Sequence, residues 1–298
     1  MTFPYLLDQL VNGLILGSMY ALVAIGFSMI YGIVRLINFA HGDILTIGAF
    51  AGLAAFASAD LPFPVVILIV LVAGAVVGMV IERTTFRPMR GSPQVTGFIA
   101  SLAVSIILEN LAIMILSAQP RTFHIPAYLN TLVHLGSVSV RVIDLTIVVL
   151  AIVLMIALVT FVRFTRIGIA MRATAENYDV ARLMGININR MIMLAFAIGS
   201  ALAATAGLMW GAKYGQISPL MGALPGLKAF VAAVIGGVGS ISGAVLGGYI
   251  LGLAEVLFVG LLPPALSGYR NAFVFGALII VLLVLPNGLL GRNQETRA

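Results

Sequence analysis

The stretch GIVRLINFAHGDILTIGAF, residues 32–50, places polar side chains inside otherwise apolar sequence. Arg35, Asn38, His41 and Asp43 lie close together there, and hydrophobic runs flank them on both sides. Such a group is either a solvated loop at a membrane surface or a functional break inside a membrane. The composition of the whole chain shows that a membrane is involved.

Most of the chain is hydrophobic. Of 298 residues, 61% are hydrophobic and 9% are charged, and the mean hydropathy is +1.16. Soluble domains carry about a quarter charged residues, so the solvent of this chain must be the lipid bilayer. We predict an all-α polytopic membrane protein with a single transmembrane domain over residues 1–298. A spanning helix takes about 20 residues, which leaves no room for a separate soluble domain.

Nine apolar runs divide the chain. They lie near residues 9–31, 43–59, 64–82, 94–117, 143–162, 191–210, 226–236, 241–260 and 271–286. The run 43–59 is barely long enough to span, and 226–236 cannot span as a straight helix. Short, interrupted segments are tolerated in membranes only where protein or a water-filled cavity surrounds them. We therefore predict about eight membrane helices plus a short or broken segment.

The positive charges predict the orientation. Arginines cluster in the loops 82–93 and 163–190, which should be cytoplasmic by the positive-inside rule. The excess of 16 basic over 10 acidic residues then marks cytoplasmic loops rather than nucleic-acid binding. The N-terminus should face outside, and the C-terminus with Arg292 and Arg297 should be cytoplasmic. Residues 118–142 should lie outside, and their alternating SVSVRV predicts a small extended or hairpin-like excursion.

Glycines recur at helical spacing near both short segments. Four-residue intervals separate Gly239, Gly243 and Gly247, as well as Gly248 and Gly252. Small residues at this spacing let helix backbones approach closely. Two short, glycine-flanked segments at corresponding places in two halves indicate a possible internal repeat with a pathway between them. The stretch GGVGSISG lacks the Lys-Ser/Thr ending of a nucleotide-binding loop, so we expect no ATP site here.

Two acidic residues lie inside apolar runs. Glu109 continues a stripe with Ser101 and Ser105 at four-residue intervals, and Glu255 lies within GLAEVLF. A charge in a membrane faces either a polar path or a structural partner, and both interpretations stay open for these two. We expect Asn38 and Asp43 to satisfy backbone groups at the break, with Asp43 capping the second helix. The candidate pathway residues are Asn38, His41, Gly42, Asp43, Ser105, Glu109, Gly236, Gly237, Gly239 and Glu255.

The sequence contains no catalytic or metal-binding constellation. The three histidines are far apart, and no HExxH motif occurs. The long loop TRIGIAMRATAENYDVARLMGININR, residues 165–190, is more informative, because connecting two spans needs only a few residues. Its composition predicts a short helix that ends at Gly185. Such a helix either docks a partner or lies on the lipid headgroups.

This loop resembles the coupling loop of bacterial ABC import permeases. The whole chain is similar to the LivH type of branched-chain amino acid permease. The resemblance is carried by QLVNGLILGSMYALVAIGFSMIYGIVRLINFAHGDILTIGAF, residues 9–50, and by AVIGGVGSISGAVLGGYILGLAE, residues 233–255. Permeases for urea or short amides share these motifs, so the motifs do not determine the transported molecule.

The resemblance implies that this chain is one subunit of a transporter complex in the bacterial inner (cytoplasmic) membrane. Such permeases pair with a second, LivM-like permease and two ABC ATPase subunits, and a periplasmic binding protein delivers the substrate. This chain would be non-catalytic and hold no cofactor, because ATP and Mg bind in the ATPase subunits. The coupling helix would cover about residues 168–185 within the loop 163–190. Its implied contacts with an ATPase are Arg172, Glu176, Asn177, Asp179, Leu183, Met184 and Gly185.

Three alternatives remain open. A stand-alone secondary transporter would use Glu109 or His41 as a proton carrier, but it would not need the long docking loop. A membrane-embedded enzyme would need paired catalytic residues, which the sequence does not show. Within the importer class, the substrate could be urea, a short amide, or an aromatic or other hydrophobic amino acid.

The docking interpretation makes a testable prediction. Gly185→Trp or Glu176→Arg should leave the protein in the membrane but uncouple ATP hydrolysis from uptake, because each changes the proposed ATPase-facing surface. Transport assays in membrane vesicles would measure this. Normal coupled uptake in both variants would contradict the interpretation.

Overall fold

A computed structural model describes residues 3–58, 61–135, 138–285 and 287–291. Arg292 and Arg297, placed in the cytoplasm above, lie outside the described residues. The helices are α1 Phe3–Val34, α2 His41–Ser58, α3 Phe63–Ile81, α4 Gln94–Leu116, α5 Val142–Phe164, α6 Arg166–Glu176, α7 Tyr178–Leu183, α8 Ile188–Tyr214, α9 Ala223–Gly236, α10 Ile241–Leu261 and α11 Arg270–Val284. A π-helical turn, Glu82–Phe86, extends α3, and 3-10 turns occupy Ala127–Asn130 and Pro264–Tyr269.

The helices confirm the predicted fold class. Within the described ranges, seven helices are long and apolar enough to cross a membrane, namely α1–α5, α8 and α10. The apolar helices α9 and α11 are shorter, with 14 and 15 residues. As expected, the run 43–59 forms a helix of marginal length, the 18-residue α2, and the run 226–236 forms the short α9. The chain is an all-α polytopic membrane protein.

The short helix α2 begins deep in the molecule rather than at its surface. After α1 ends at Val34, the chain continues without regular structure to His41, the first residue of α2. The His41 Nε2 atom lies 3.3 Å from the carbonyl oxygen of Val23. Val23 precedes the end of α1 by eleven residues, about 16 Å along the helix axis. The hydrocarbon layer is about 30 Å thick, so α2 begins near its middle.

The short helix α9 begins at the same depth. After α8 ends at Tyr214, the chain turns back, and the Gly222 amide donates a hydrogen bond to Thr46 Oγ1 at 2.9 Å. A Cβ atom on Gly42 would lie 2.7 Å from the Gly222 carbonyl oxygen. The first turns of α2 and α9 therefore touch, and only glycine permits this approach.

The packing has the pattern that an internal repeat predicts. The order of long helix, short helix, long helix occurs in α1–α2–α3 and again in α8–α9–α10. Helix α1 packs mainly on α10, and the corresponding α8 packs mainly on α3. Helix α2 packs on α8, and its counterpart α9 packs on α1. The two long helices α1 and α8 cross where Gly26 meets Gly199.

The arginine-rich loops share one end of the bundle. Arg90 donates a hydrogen bond to Asn189 Oδ1, which joins the loop 82–93 to the start of α8. The Tyr178 hydroxyl donates to the carbonyl oxygen of Ile33, which joins α7 to the end of α1. Leu289 donates its amide to Ile235 at 2.9 Å, so residues 287–291 reach the same end. The structure thus groups the loops that the charge pattern assigned to one side.

Two small antiparallel sheets lie at the opposite end. Strand β2 (Leu132–Leu135) pairs with β3 (Val138–Arg141), which confirms the predicted hairpin. Strand β1 (Arg121–Thr122) pairs with β4 (Gln216–Ile217). The second pairing joins segments far apart in sequence and so could not be predicted from local alternation.

The helix crossing at Gly26 and Gly199 should be sensitive to a single methyl group. A Cβ atom on Gly199 would lie 2.8 Å from the Gly26 carbonyl oxygen, so Gly199→Ala forces two backbones apart. Overpacking of this kind costs about 1–3 kcal/mol, and the midpoint of thermal unfolding in detergent should fall. Gly276→Ala is the matched control, because its Cβ atom would meet nothing within 4 Å. Equal midpoints of thermal unfolding for Gly199→Ala and Gly276→Ala would contradict the close packing of α1 on α8.

Candidate transport path and coupling surface

A cavity of about 150 Å³ lies where α1, α2, α4 and α9 meet. Its walls include most of the candidate residues that come from α2 and α4. The polar lining residues are Asn38, His41, Asp43 and Ser105. The first turns of the short helices α2 and α9 also line the cavity, through Gly42 and Ala223. The structure thus brings the polar break and the serine stripe together at mid-membrane depth.

Asp43 faces α4 rather than capping its own helix. Helix α2 begins at His41, which places Asp43 in the first turn and makes the N-cap prediction wrong. Its Oδ2 atom accepts a hydrogen bond from Ser105 Oγ at 2.5 Å, because α4 offers that hydroxyl across the cavity. Glu109, one turn beyond Ser105, lies close enough to act on Asp43 electrostatically. The polar stripe of α4 therefore continues from the cavity wall to a second carboxylate.

Asn38 and His41 carry polar atoms that the described residues leave unpaired. Asn38 is 2% exposed, and neither its side-chain nitrogen nor its oxygen has a hydrogen-bond partner among them. The expectation that Asn38 satisfies backbone groups at the break is therefore wrong, because the turn leaves its amide facing the cavity. His41 is also buried, with Nε2 near Val23 and Nδ1 unpaired. Each such atom costs about 1–3 kcal/mol.

Three aromatic side chains form part of the apolar cavity wall. The ring of Phe230 lies 5.2 Å from that of Phe27 and 6.3 Å from that of Phe39, measured between centroids. Phe27 also meets the His41 ring edge-on at 6.0 Å. These phenylalanines were not predicted as site residues. Only Phe39 had a signal in the sequence, because it lies within NFAHGD.

The candidate glycines of the second half lie away from the cavity. Gly237, at φ +104°, ends α9, and Gly239 donates its amide to Ser28 Oγ at 2.9 Å. The Gly236 carbonyl accepts from Leu290 at 2.9 Å. These three residues hold the arginine-rich end of α9 against α1 and the C-terminal segment.

Glu255 belongs to a buried ion-pair network. Its carboxylate accepts hydrogen bonds from Lys228 at 2.7 Å and from the Tyr20 hydroxyl at 2.8 Å, and lies 3.1 Å from Arg270 Nε. The network joins α1, α9, α10 and α11, and it favours the structural interpretation of Glu255. Lys228 was missed, although a lone lysine in the apolar run 226–236 is itself a signal.

The predicted coupling helix is two helices rather than one. Helix α6 ends at Glu176, and Asn177 then caps α7 by accepting from the amides of Asp179 at 2.9 Å and Val180 at 3.1 Å. The short Asn side chain thus replaces the helical hydrogen bonds at the break. Its oxygen is used inside the loop, where an ATPase contact had been predicted.

The end of α7 confirms the prediction that the helix ends at Gly185. At φ +79° Gly185 adopts the left-handed conformation that ends helices. Ile186 donates its amide to Ala181, and Gly185 donates to Arg182, both at 3.0 Å. This pair of bonds is a Schellman motif, which fixes the direction of the chain after α7.

The coupling loop has a buried base and an exposed tip. Met171, Thr174 and Ala181 are buried against the helix bundle. In contrast, Leu183 is 86% exposed and Met184 is 77% exposed. The predicted polar contacts Arg172, Glu176 and Asp179 are exposed around this tip.

Tyr178 joins the loop to α1. Its hydroxyl donates a hydrogen bond to the Ile33 carbonyl, one residue before α1 ends. Burial raises the pKa of this phenol, although Arg90 and Arg35 act against the rise. The hydroxyl is therefore protonated, and able to donate, at physiological pH. Arg90 itself pairs with Glu82 and Asn189, which braces the neighbouring loop.

The sequence matches a known family along most of its length. A family model described as "Branched-chain amino acid transport system / permease component" matches residues 9–283. The chain belongs to this family. The high-affinity branched-chain amino acid transport system permease protein LivH of Escherichia coli K12 is 41% identical over 305 aligned residues, covering 98% of this chain and 97% of that protein. No solved structure matches.

Other relatives show the breadth of the similarity. The permease protein BraD of Pseudomonas aeruginosa, also named for high-affinity branched-chain amino acid transport, is 42% identical, covering 97% of this chain and 96% of its own length. The ribose import permease protein RbsC of Haemophilus influenzae is 28% identical, covering 96% and 87%. These matches confirm the resemblance inferred from the sequence. The chain is a multi-pass membrane permease component, and not an enzyme.

The two intramembrane glutamates should behave oppositely on neutralisation. Glu255→Gln leaves Lys228 with no full counter-charge, and breaking a buried pair costs about 3–5 kcal/mol. We expect thermal stability in detergent to fall, and Lys228→Met combined with Glu255→Leu to recover part of it.

Glu109→Gln is the matched comparison, because Glu109 is only half-buried beside the cavity. It should reduce uptake while leaving the unfolding midpoint near that of the wild type. Loss of Glu109→Gln protein from the membrane, with no separate effect on uptake, would make Glu109 structural.

Proposed function

We propose that this chain is a transmembrane permease subunit of an ATP-driven importer for branched-chain or related hydrophobic amino acids. Its partners are a second, LivM-like permease, two ABC ATPase subunits and a periplasmic substrate-binding protein. It lies in the bacterial inner membrane, with the N-terminus outside and the loops 82–93 and 163–190 in the cytoplasm. Family membership supports the permease role, and the exposed tip of α7 supports the coupling to an ATPase.

The tip of α7 is suited to insertion into a protein groove. Leu183 and Met184 are almost fully exposed at the end that carries the arginine-rich loops, where the positive-inside rule places the cytoplasm. Neighbouring apolar side chains that project from a capped helix end favour docking, because a groove removes their surface from water. The exposed charges around them can form a polar rim. A stand-alone transporter would gain nothing from this arrangement.

The docked helix is connected to the cavity through α1. Helix α6 packs on α5, α1 and α8, and Tyr178 of α7 holds the Ile33 carbonyl. Ile33 lies at the end of α1, and the following segment 35–40 leads through Asn38 to the start of α2. A displacement of α7 by the ATPases would therefore reach the cavity through a short length of chain. This connection supports α1 and the segment 35–40 as the moving elements.

The cavity suits an apolar side chain better than a small polar molecule. A volume of about 150 Å³ is enough for a benzene-sized group, and three phenylalanine rings line it. The named substrates of the LivH and BraD relatives have branched apolar side chains. Urea or a short amide, the alternative cargo, would leave the aromatic wall without a partner.

The coupling tip should be dispensable for folding and necessary for transport. Replacing Leu183 and Met184 together by Ala removes the apolar projection while keeping the helix cap at Gly185. We expect ATP-dependent leucine uptake into proteoliposomes to fall about tenfold or more, since buried interface anchors are each worth at least about 1–2 kcal/mol.

Leu132→Ala supplies the matched control, because Leu132 is 59% exposed on the hairpin at the opposite end. Its uptake should equal that of the wild type. Wild-type uptake in the double variant, or an equal loss in the control, would show that α7 does not dock an ATPase.

The Tyr178 hydrogen bond should affect coupling without affecting docking. Tyr178→Phe keeps the ring and removes the hydroxyl that holds Ile33. One neutral hydrogen bond is worth about 1 kcal/mol, so the number of leucine molecules moved per ATP should fall by about two- to fivefold. ATPase binding, measured by co-purification, should not change. An unchanged transport ratio would remove Tyr178 from the coupling route.

A further inference from the structure

We propose that the cavity between α2 and α9 is a membrane-embedded binding site for the amino acid in its zwitterionic form. The carboxylate would meet Asn38 and the first turn of α9, the ammonium would meet Asp43, and the side chain would meet the aromatic residues of the cavity. This inference rests on the proposed function and deepens it, because it assigns recognition of the α-amino acid group to the permease itself.

The unpaired side chains supply the first argument. Asn38 presents an amide donor and an amide acceptor in a cavity, and neither is bonded to any residue that the structure describes. His41 adds an unpaired Nδ1 atom. Buried polar groups almost always have partners. A substrate that carries both a hydrogen-bond acceptor and a hydrogen-bond donor would pair these atoms during transport.

The positions of the short helices α2 and α9 also support this site. Helices α2 and α9 both begin at the cavity, and their first turns, at Gly42 and Ala223, form part of its wall. The N-terminus of a helix carries a partial positive charge and attracts anions. The cavity lining includes no lysine or arginine among the described residues. The Asn38 amide and the first turn of α9 are thus the available partners for a carboxylate.

Asp43 supplies the complementary charge. Its carboxylate faces the cavity, where Ser105 holds Oδ2, and Glu109 adds further negative charge one turn along α4. An ammonium group beside Asp43 would offset the cost of keeping that carboxylate in the membrane. Asp43 lies in the first turn of α2, and Asn38 lies just before that helix, so the partner for the ammonium and a partner for the carboxylate line the same small cavity.

The aromatic wall supplies the partner for the side chain. Phe230 contacts both Phe27 and Phe39, and all three rings line the cavity. This wall can accept aliphatic side chains of different shape, because its contacts are non-directional. We therefore expect the cavity to recognise the α-amino acid group strictly and the apolar side chain loosely.

Photo-crosslinking to the wild-type complex tests the site directly. The probe is leucine with a diazirine in its side chain, bound to the complete transporter in nanodiscs and mapped by mass spectrometry. We expect modification of Phe27, Phe39 or Phe230, suppressed by excess leucine. Isocaproate lacks the amine and isoamylamine lacks the carboxylate, and each should compete at least about tenfold less well because one charged contact is lost. Competition by either equal to that of leucine, or crosslinks confined to other surfaces, would overturn the proposal.

Variants test the assigned contacts. Asn38→Leu and Asp43→Asn should each reduce leucine uptake about tenfold, since each removes a hydrogen bond or charge that contacts an ionic group. Asn110→Leu is the matched control, because Asn110 lies on the exposed face of α4 and bonds only its own helix at Ile106. Wild-type uptake by Asn38→Leu and Asp43→Asn would overturn the assignment.

Transport and labelling experiments distinguish a wrong function from a wrong binding site. If wild-type proteoliposomes with all subunits do not import leucine when ATP is supplied, the proposed function is wrong. If they import leucine but the probe does not label the cavity, only the binding site is wrong.

Discussion

The contact between the first turns of α2 and α9 is the constraint on which the rest of the structure depends. A helix that begins inside a membrane exposes backbone groups that lipid cannot satisfy. Here the first turns of α2 and α9 shield each other's backbone groups from lipid. Gly42 packs against Gly222, and the Gly222 amide is bonded to Thr46. The long helices α1 and α8 enclose this centre. The cavity lies beside these two first turns, where α1 and α4 also meet them, so one contact provides both stability and part of a site.

The second organising feature is the short connection between the coupling loop and that centre. The exposed tip of α7, the Tyr178 hydrogen bond and the end of α1 follow one another in space. The ion-pair network of Glu255 and Lys228 lies on the other side of α9 and ties it to α10. Helix α9 is therefore braced by charge pairs, whereas the segment 35–40 is not tied in this way. This difference favours motion of the segment 35–40 rather than of α9.

Much of the cavity could be predicted because polar residues in apolar sequence are conspicuous. Asn38, His41 and Asp43 stood out for that reason, and the four-residue stripe on α4 identified Ser105 and Glu109. The phenylalanine wall could not be predicted, because a phenylalanine facing a cavity and one facing lipid look alike in sequence. The bond that draws Asp43 away from its own helix depends on α4, and so it required tertiary structure. The break at Asn177 has a local cause, but an Asn within a helical pattern does not by itself locate a cap.

The central claim is that substrate passes through the cavity at the α2–α9 contact. The chain contains no cysteine, so Ser105→Cys introduces a single thiol into the cavity wall with little change in size. Membrane-impermeant thiol reagents would be applied to the complete transporter from each side, with and without ATP. The Ser105→Cys thiol should react from one side of the membrane with ATP and from the other side without it. Leucine should slow the reaction. A variant that still transports leucine while its thiol stays unreactive in every nucleotide state would contradict the account.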